Sequence, residues 1–155
     1  MKKILSALSF FVAIFAGDGC VKDAVCTDKT IQSEQAEIVN YAAANGISAT
    51  AHSSGLYYQI TNAGSGPAPT SGSKVSIKYT GKLLNGTIFD SQTTAPVSYS
   101  LNSLIKGFQT GLPLIQKGGT IKLIVPSSLG YGCNGFGSVP GSAILYFEVE
   151  LTDVQ

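Results

Sequence analysis

Tyr79-Thr80-Gly81-Lys82-Leu83-Leu84-Asn85-Gly86-Thr87-Ile88-Phe89-Asp90-Ser91 is the stretch from which the fold can be read. Asn85-Gly86 separates Lys82-Leu83-Leu84 from Thr87-Ile88-Phe89. Asn-Gly suits a two-residue type I′ hairpin, because both central positions of that turn need positive φ. Outward from the hairpin, apolar and polar residues alternate in Leu56-Tyr57-Tyr58-Gln59-Ile60, Val75-Ser76-Ile77-Lys78-Tyr79 and Ile121-Lys122-Leu123-Ile124-Val125. The clearest alternation comes last: Leu145, Phe147, Val149 and Leu151 are interleaved with Tyr146, Glu148, Glu150 and Thr152. This period of two predicts antiparallel strands with one face in a core and the other wet. One short helix interrupts them, with Leu104, Phe108 and Leu112 on one side and Ile105 beside them, stopped by Pro113 and Lys117-Gly118-Gly119. The expected fold class is α+β, an antiparallel sheet wrapped around one short helix.

A second helix is expected ahead of the strands. Ile31, Ile38, Val39 and Ala42 recur at helical spacing, Asp28 or Thr30 can serve as N-cap, and Asn45-Gly46 is a stop signal. The polar residues from Ser48 to Ser54 read as a linker, and His52 within it reads as solvated.

Composition narrows the function. A chain of 155 residues holds one domain with a sizeable core. Charged residues are 12%, about half the usual share, and the net charge is +1. Without a Lys/Arg stripe there is no electrostatic footprint for nucleic acid. The single histidine has no second His, Cys or carboxylate cluster beside it for a metal site. Gly130-Tyr131-Gly132-Cys133-Asn134-Gly135 matches the dinucleotide fingerprint GxGxxG, but it leads into a strand pattern rather than a helix. Ser71-Gly72-Ser73-Lys74 matches the SxxK nucleophile motif without its companions. The chain also lacks a Ser-His-Asp set, so its chemistry is expected to need no nucleophile, metal or cofactor.

The first 19 residues read as a signal peptide: Lys2 and Lys3, an uncharged apolar run over residues 4–17, then Asp18 and Gly19. Cys20 follows where a bacterial lipoprotein carries its acylated cysteine, although Asp18 departs from the usual lipobox. A lipid anchor to the membrane at Cys20 and ordinary secretion both remain open. In either case the chain is expected to be exported, as a periplasmic or membrane-anchored protein of a bacterial envelope. With Cys20 acylated, Cys26 and Cys133 remain as an even pair in an oxidising compartment, either disulfide-bonded or as two free thiols. The expected organisation is a signal peptide (1–19), a tether with a short helical segment (20–53) and a catalytic domain (54–155).

Four segments in order resemble the FKBP-type peptidyl-prolyl cis/trans isomerases. Tyr79-Thr80-Gly81 through Phe89-Asp90-Ser91 resembles the family's Tyr-Thr-Gly, hairpin, Phe-Asp-Ser segment. Leu104-Ile105-Lys106-Gly107-Phe108 is similar to Val-Ile-x-Gly-Trp, and Pro126-Ser127-Ser128-Leu129-Gly130-Tyr131-Gly132 to the Pro-x-x-Leu-Ala/Gly-Tyr-Gly turn. Val139-Pro140 and Leu145-Tyr146-Phe147-Glu148-Val149-Glu150-Leu151 resemble the closing segments. The resemblance implies isomerisation of X-Pro bonds in exported proteins, with proline-containing polypeptides as clients and a macrolide as a second ligand class. It implies a pocket of Tyr79, Phe89, Val97, Tyr99, Leu104, Ile105, Phe108, Val139 and Phe147, with Asp90 and Tyr131 as its catalytic polar groups. Phe108 stands where well-known members carry Trp, Val97 where a Phe is frequent, and Gly141 in place of a second Pro. The alternative is a module that binds proline-containing segments as a chaperone and turns them over weakly or not at all.

Overall fold

Residues 25–155 are described by a computed structural model of the chain; the signal-peptide segment and Cys20 lie outside the described residues. The alternating segments form six strands: β1 (Thr50–Ala51), β2 (Tyr57–Asn62), β3 (Lys74–Leu83), β4 (Ile88–Ser100), β5 (Thr120–Val125) and β6 (Leu145–Val154). They make one sheet in the order β1-β2-β5-β6-β3-β4, with every neighbouring pair antiparallel. The strand-forming alternation of the sequence is therefore realised as an α+β domain.

Strand period explains how the sheet comes to have two cores. Leu123 pairs with Phe147, and one residue along Ile124 pairs with Tyr146. Successive side chains point to opposite faces, so these two pairs face apart. On the first face, Leu123, Phe147, Ile77, Val125 and Leu151 pack with Phe108 and Leu112. Phe108 belongs to the short helix α2 (Lys106–Gly111), and Leu112 opens the 3-10 turn that follows it. On the second face, Ile124, Tyr57 and Tyr146 pack with Ile38 and Ala42 of α1 (Ile31–Ala44).

The structure decides one alternative and corrects three expectations. Thr30, not Asp28, is the N-cap of α1, its side chain accepting the Ser33 N–H. The buried stripe of α1 runs through Glu34, Ile38 and Ala42, whereas Val39 is 48% exposed. Residues 48–54 are not a plain linker: Thr50 and Ala51 pair with Tyr58 and Tyr57. His52 accepts the Ser54 N–H at Nδ1, holding the turn between those strands. Finally, the hairpin turn is not type I′. Gly86 has φ +90°, but Asn85 is not in the positive-φ region. Gly86 N–H donates to Leu83 O and Leu83 N–H to Thr87 O, the three-residue loop closed by a left-handed glycine. The Asn85 side chain accepts the Thr87 N–H at 3.0 Å, a local bond that holds Asn85 at negative φ.

Candidate active site

Register brings the aromatic residues together. Gly81 of β3 pairs with Phe147 on one side and Asp90 on the other. A side chain at Gly81 would place its Cβ 2.8 Å from both the Phe147 and Phe89 rings, so glycine here lets the two aromatics close over the strand. Phe147 then meets Phe89 edge-on at 5.5 Å and Phe108 at 4.7 Å. Tyr79 meets Phe108 at 6.1 Å in a T-shaped contact, the geometry aromatic quadrupoles prefer.

The rings of Tyr79, Phe108 and Phe147 floor a cup of about 220 Å³. Its remaining walls are Tyr99 of β4, Ser103, Leu104 and Ile105 before α2, and Tyr131 beyond the 3-10 turn Ser127–Leu129. Its carboxylate is Asp90, which accepts the Tyr79 hydroxyl at 2.5 Å. Burial, followed by the bond to Asp90 and the neighbouring Tyr99, pushes the Tyr79 phenol far above its ordinary pKa. Burial, with the negative charges possible at Asp90 and Tyr99, also raises Tyr131. Both phenols are thus proton donors across the neutral range. Among the described residues the Tyr131 hydroxyl has no hydrogen-bond partner, whereas that of Tyr79 is committed to Asp90.

The residues singled out from the sequence divide into three groups. Tyr79, Asp90, Tyr99, Leu104, Ile105, Phe108, Tyr131 and Phe147 line the cup. Phe89 and Val139 instead border a second depression of about 200 Å³, which shares Asp90 and Tyr131 with the cup. Val97 lies on β4 opposite Ile77 and lines neither space. Two residues went unnoticed in the sequence. Ser103 reaches the rim from a 3-10 turn that has no motif. Phe136 is 71% exposed and stacks on Tyr131 with centroids 5.4 Å apart; an aromatic alone among glycines was its only signal.

A larger groove of about 320 Å³ borders the part of the second face that α1 leaves open. Its walls include Lys78, Thr80, Lys122, Glu148 and Glu150, which alternate away from the first core. It is a solvated strand surface, and the aromatic cup is the better site. Cys26 and Cys133 are joined by a disulfide with Cα atoms 5.7 Å apart, which ties the N-terminal segment beside Tyr131.

Residues 66–152 match the family described as FKBP-type peptidyl-prolyl cis-trans isomerase. The chain is 43% identical over 113 residues to the FKBP-type peptidyl-prolyl cis-trans isomerase FkpA of Buchnera aphidicola subsp. Schizaphis graminum, covering 71% of this chain and 44% of that protein. The crystal structure of FkpA from Escherichia coli superposes with a TM-score of 0.72 at 36% identity, covering 81% of this chain and 61% of that one. A peptidyl-prolyl cis-trans isomerase from Pseudomonas syringae pv. tomato gives a TM-score of 0.69 at 28% identity over 83% of this chain and 98% of that one. The chain spans under half the length of the curated relatives it matches.

Proposed function

The chain belongs to the FKBP-type peptidyl-prolyl cis-trans isomerase family, and from that premise we propose that it isomerises X-Pro bonds of polypeptide clients in the aromatic cup. The observation that carries this reading is the joining of Tyr79, Phe108 and Phe147 around a space whose one carboxylate is already satisfied by Tyr79. Rotation about an amide must overcome about 18–20 kcal/mol of lost conjugation. No covalent bond breaks. As the bond twists, the nitrogen pyramidalises and the carbonyl loses polarity, so a dry apolar wall tolerates the twisted form better than water does.

Within this scheme the rings of Phe108 and Phe147 receive the proline ring. Tyr131 donates its hydroxyl to a substrate carbonyl, and Asp90 holds Tyr79 in place by accepting a hydrogen bond from its hydroxyl. Phe89 and Val139 contact the chain on the far side of Tyr131. A macrolide of matching shape is a second ligand for the same cup. We also read the protein as exported and anchored through an acylated Cys20. The support is Lys2, Lys3 and the apolar run of the sequence, together with the Cys26–Cys133 disulfide, a bond at home in an oxidising compartment. Mass spectrometry of the N-terminus from membrane-fraction protein tests the anchor: an unacylated N-terminus there overturns it.

The deciding experiment for the activity is a peptide turnover assay on several X-Pro peptides. Acceleration that falls when Phe147 or Tyr131 is altered is the expected result. Binding of the same peptides without acceleration would replace the isomerase by a holding module for proline-containing segments.

A further inference from the structure

Glu34 is out of place by the logic of α1. It sits in the buried stripe with Ile38 and Ala42, and only 1% of it is exposed. One carboxylate oxygen accepts the Ser127 N–H at 2.9 Å, while Oε1 has no partner. A buried unpaired carboxylate oxygen is costly, so an apolar residue would complete this stripe at less cost. What the carboxylate achieves is contact with the backbone of one particular residue, and that residue is a hub. The Ser127 carbonyl accepts the N–H groups of Gly130 at 3.0 Å and Gly132 at 2.8 Å, the residues on either side of Tyr131. Ser127 is itself fully buried.

A second carboxylate from the same segment reaches the other end of this loop. Asp28 accepts the Cys133 N–H at 2.7 Å, and the neighbouring Cys26 is covalently bound to Cys133. The loop carrying Tyr131 is therefore held at Ser127 by Glu34 and at Cys133 by Asp28, both from outside the residues that form the cup. We infer that Asp28 and Glu34 are positioning residues for the isomerase site, acting through the backbone of residues 127–133 to aim the Tyr131 hydroxyl. This rests on the reading above that Tyr131 donates to the substrate.

The test uses the full chain with its disulfide intact, at temperatures where every variant is folded. Glu34→Ala removes the acceptor, while Glu34→Gln keeps a carbonyl oxygen able to take the Ser127 N–H. Glu34→Ala is expected to shift the amide resonances of Tyr131 and Gly132 and to lower kcat/KM on an X-Pro peptide roughly three- to tenfold. The loss should fall on kcat rather than KM, because the rings that receive proline are untouched. Glu34→Gln should restore both readouts, and in a Tyr131→Phe background Glu34→Ala should cost little further activity. Should Glu34→Ala not fold, Asp28→Ala, at an exposed position, is expected to shift Gly132 and Cys133 amides and lower kcat in the same direction. A lower melting temperature with Tyr131 and Gly132 resonances and kcat unchanged would overturn the inference, as would additivity with Tyr131→Phe. If the wild type proves not to accelerate isomerisation, the functional reading fails, and the Tyr131 and Gly132 resonances alone decide whether these carboxylates position the loop.

Discussion

Two phenols in one cup are given different work by their partners. The Tyr79 hydroxyl is spent on Asp90, whereas that of Tyr131, raised in pKa mainly by burial, remains a donor facing the cup. Tyr131→Phe removes that donor with almost no change in volume. A hydrogen bond of ordinary strength predicts about 0.5–1.5 kcal/mol of lost transition-state binding, a roughly two- to thirteenfold drop in kcat/KM. Turnover kinetics on X-Pro peptides reads this directly, and an unchanged kcat/KM would remove Tyr131 from the mechanism. Tyr79 makes a different prediction. Its folded pKa lies above the ordinary phenol value of about 10, raised by burial and the Asp90 bond, so folding favours the protonated form. Its stabilisation is complete below about pH 10 and is lost as pH rises from there through the folded pKa. Urea midpoints of the wild type are expected to fall above about pH 10, and those of Tyr79→Phe to fall less steeply. Equal slopes would mean that the alkaline loss comes from other groups, of which Tyr146, raised by burial and by Glu148, is the first to examine.

Among the elements, α1 shows how a helix that is weak by itself is fixed in place. Its buried side amounts to Glu34, Ile38 and Ala42, little apolar area for 14 residues, so its ends matter. Thr30 accepts the Ser33 N–H at 3.2 Å, and the Asn45 side chain donates to Tyr41 O at 2.8 Å. Thr30→Ala removes the side-chain acceptor of the Ser33 N–H, leaving it only the Thr30 carbonyl at 3.0 Å, and should cost about 1 kcal/mol, visible as a lower urea midpoint with an unchanged m-value. A neutral result would mean that docking on Tyr57, Ile124 and Tyr146, not the cap, holds the helix. The β3–β4 hairpin carries a related lesson. Asn85-Gly86 marked its place, but the turn type was set by a side-chain bond from Thr87 N–H to Asn85, which dipeptide preference does not include.

At the scale of the whole molecule, each face of the sheet carries a core. α2 packs on the face that holds the cup, and α1 on the other. The Cys26–Cys133 disulfide links the N-terminal segment to the site loop across 107 residues of sequence. Closing so long a loop in the unfolded chain predicts about 4–5 kcal/mol of stabilisation by the chain-entropy account. The double variant Cys26→Ser with Cys133→Ser should lose an amount of that order in denaturant titrations. A thiol assay on unfolded wild type should find neither of these two cysteines free. A loss below about 1 kcal/mol, against the loop-closure value, would mean either that the unfolded chain keeps the two ends together or that the link is not formed in solution.

What the sequence determined by itself was whatever depends on near neighbours in the chain. The alternation ending in Leu145, Phe147, Val149 and Leu151 specified strands and their inward face. Ordered short motifs placed Tyr79, Asp90, Phe108 and Tyr131 in one site, since a family pattern records contacts that a single chain's periodicity does not. Only the tertiary structure decided which face of the sheet α1 covers, that Glu34 rather than Val39 lies in its buried stripe, and that Val97 stays off the cup. It also placed Asp28 beside Cys133 and Glu34 beside Ser127, separations of 105 and 93 residues. The physical reason is range: hairpins and helix periods are fixed by bonds a few residues long. The choice to bury a carboxylate against a distant N–H is made only when two cores close on the same sheet.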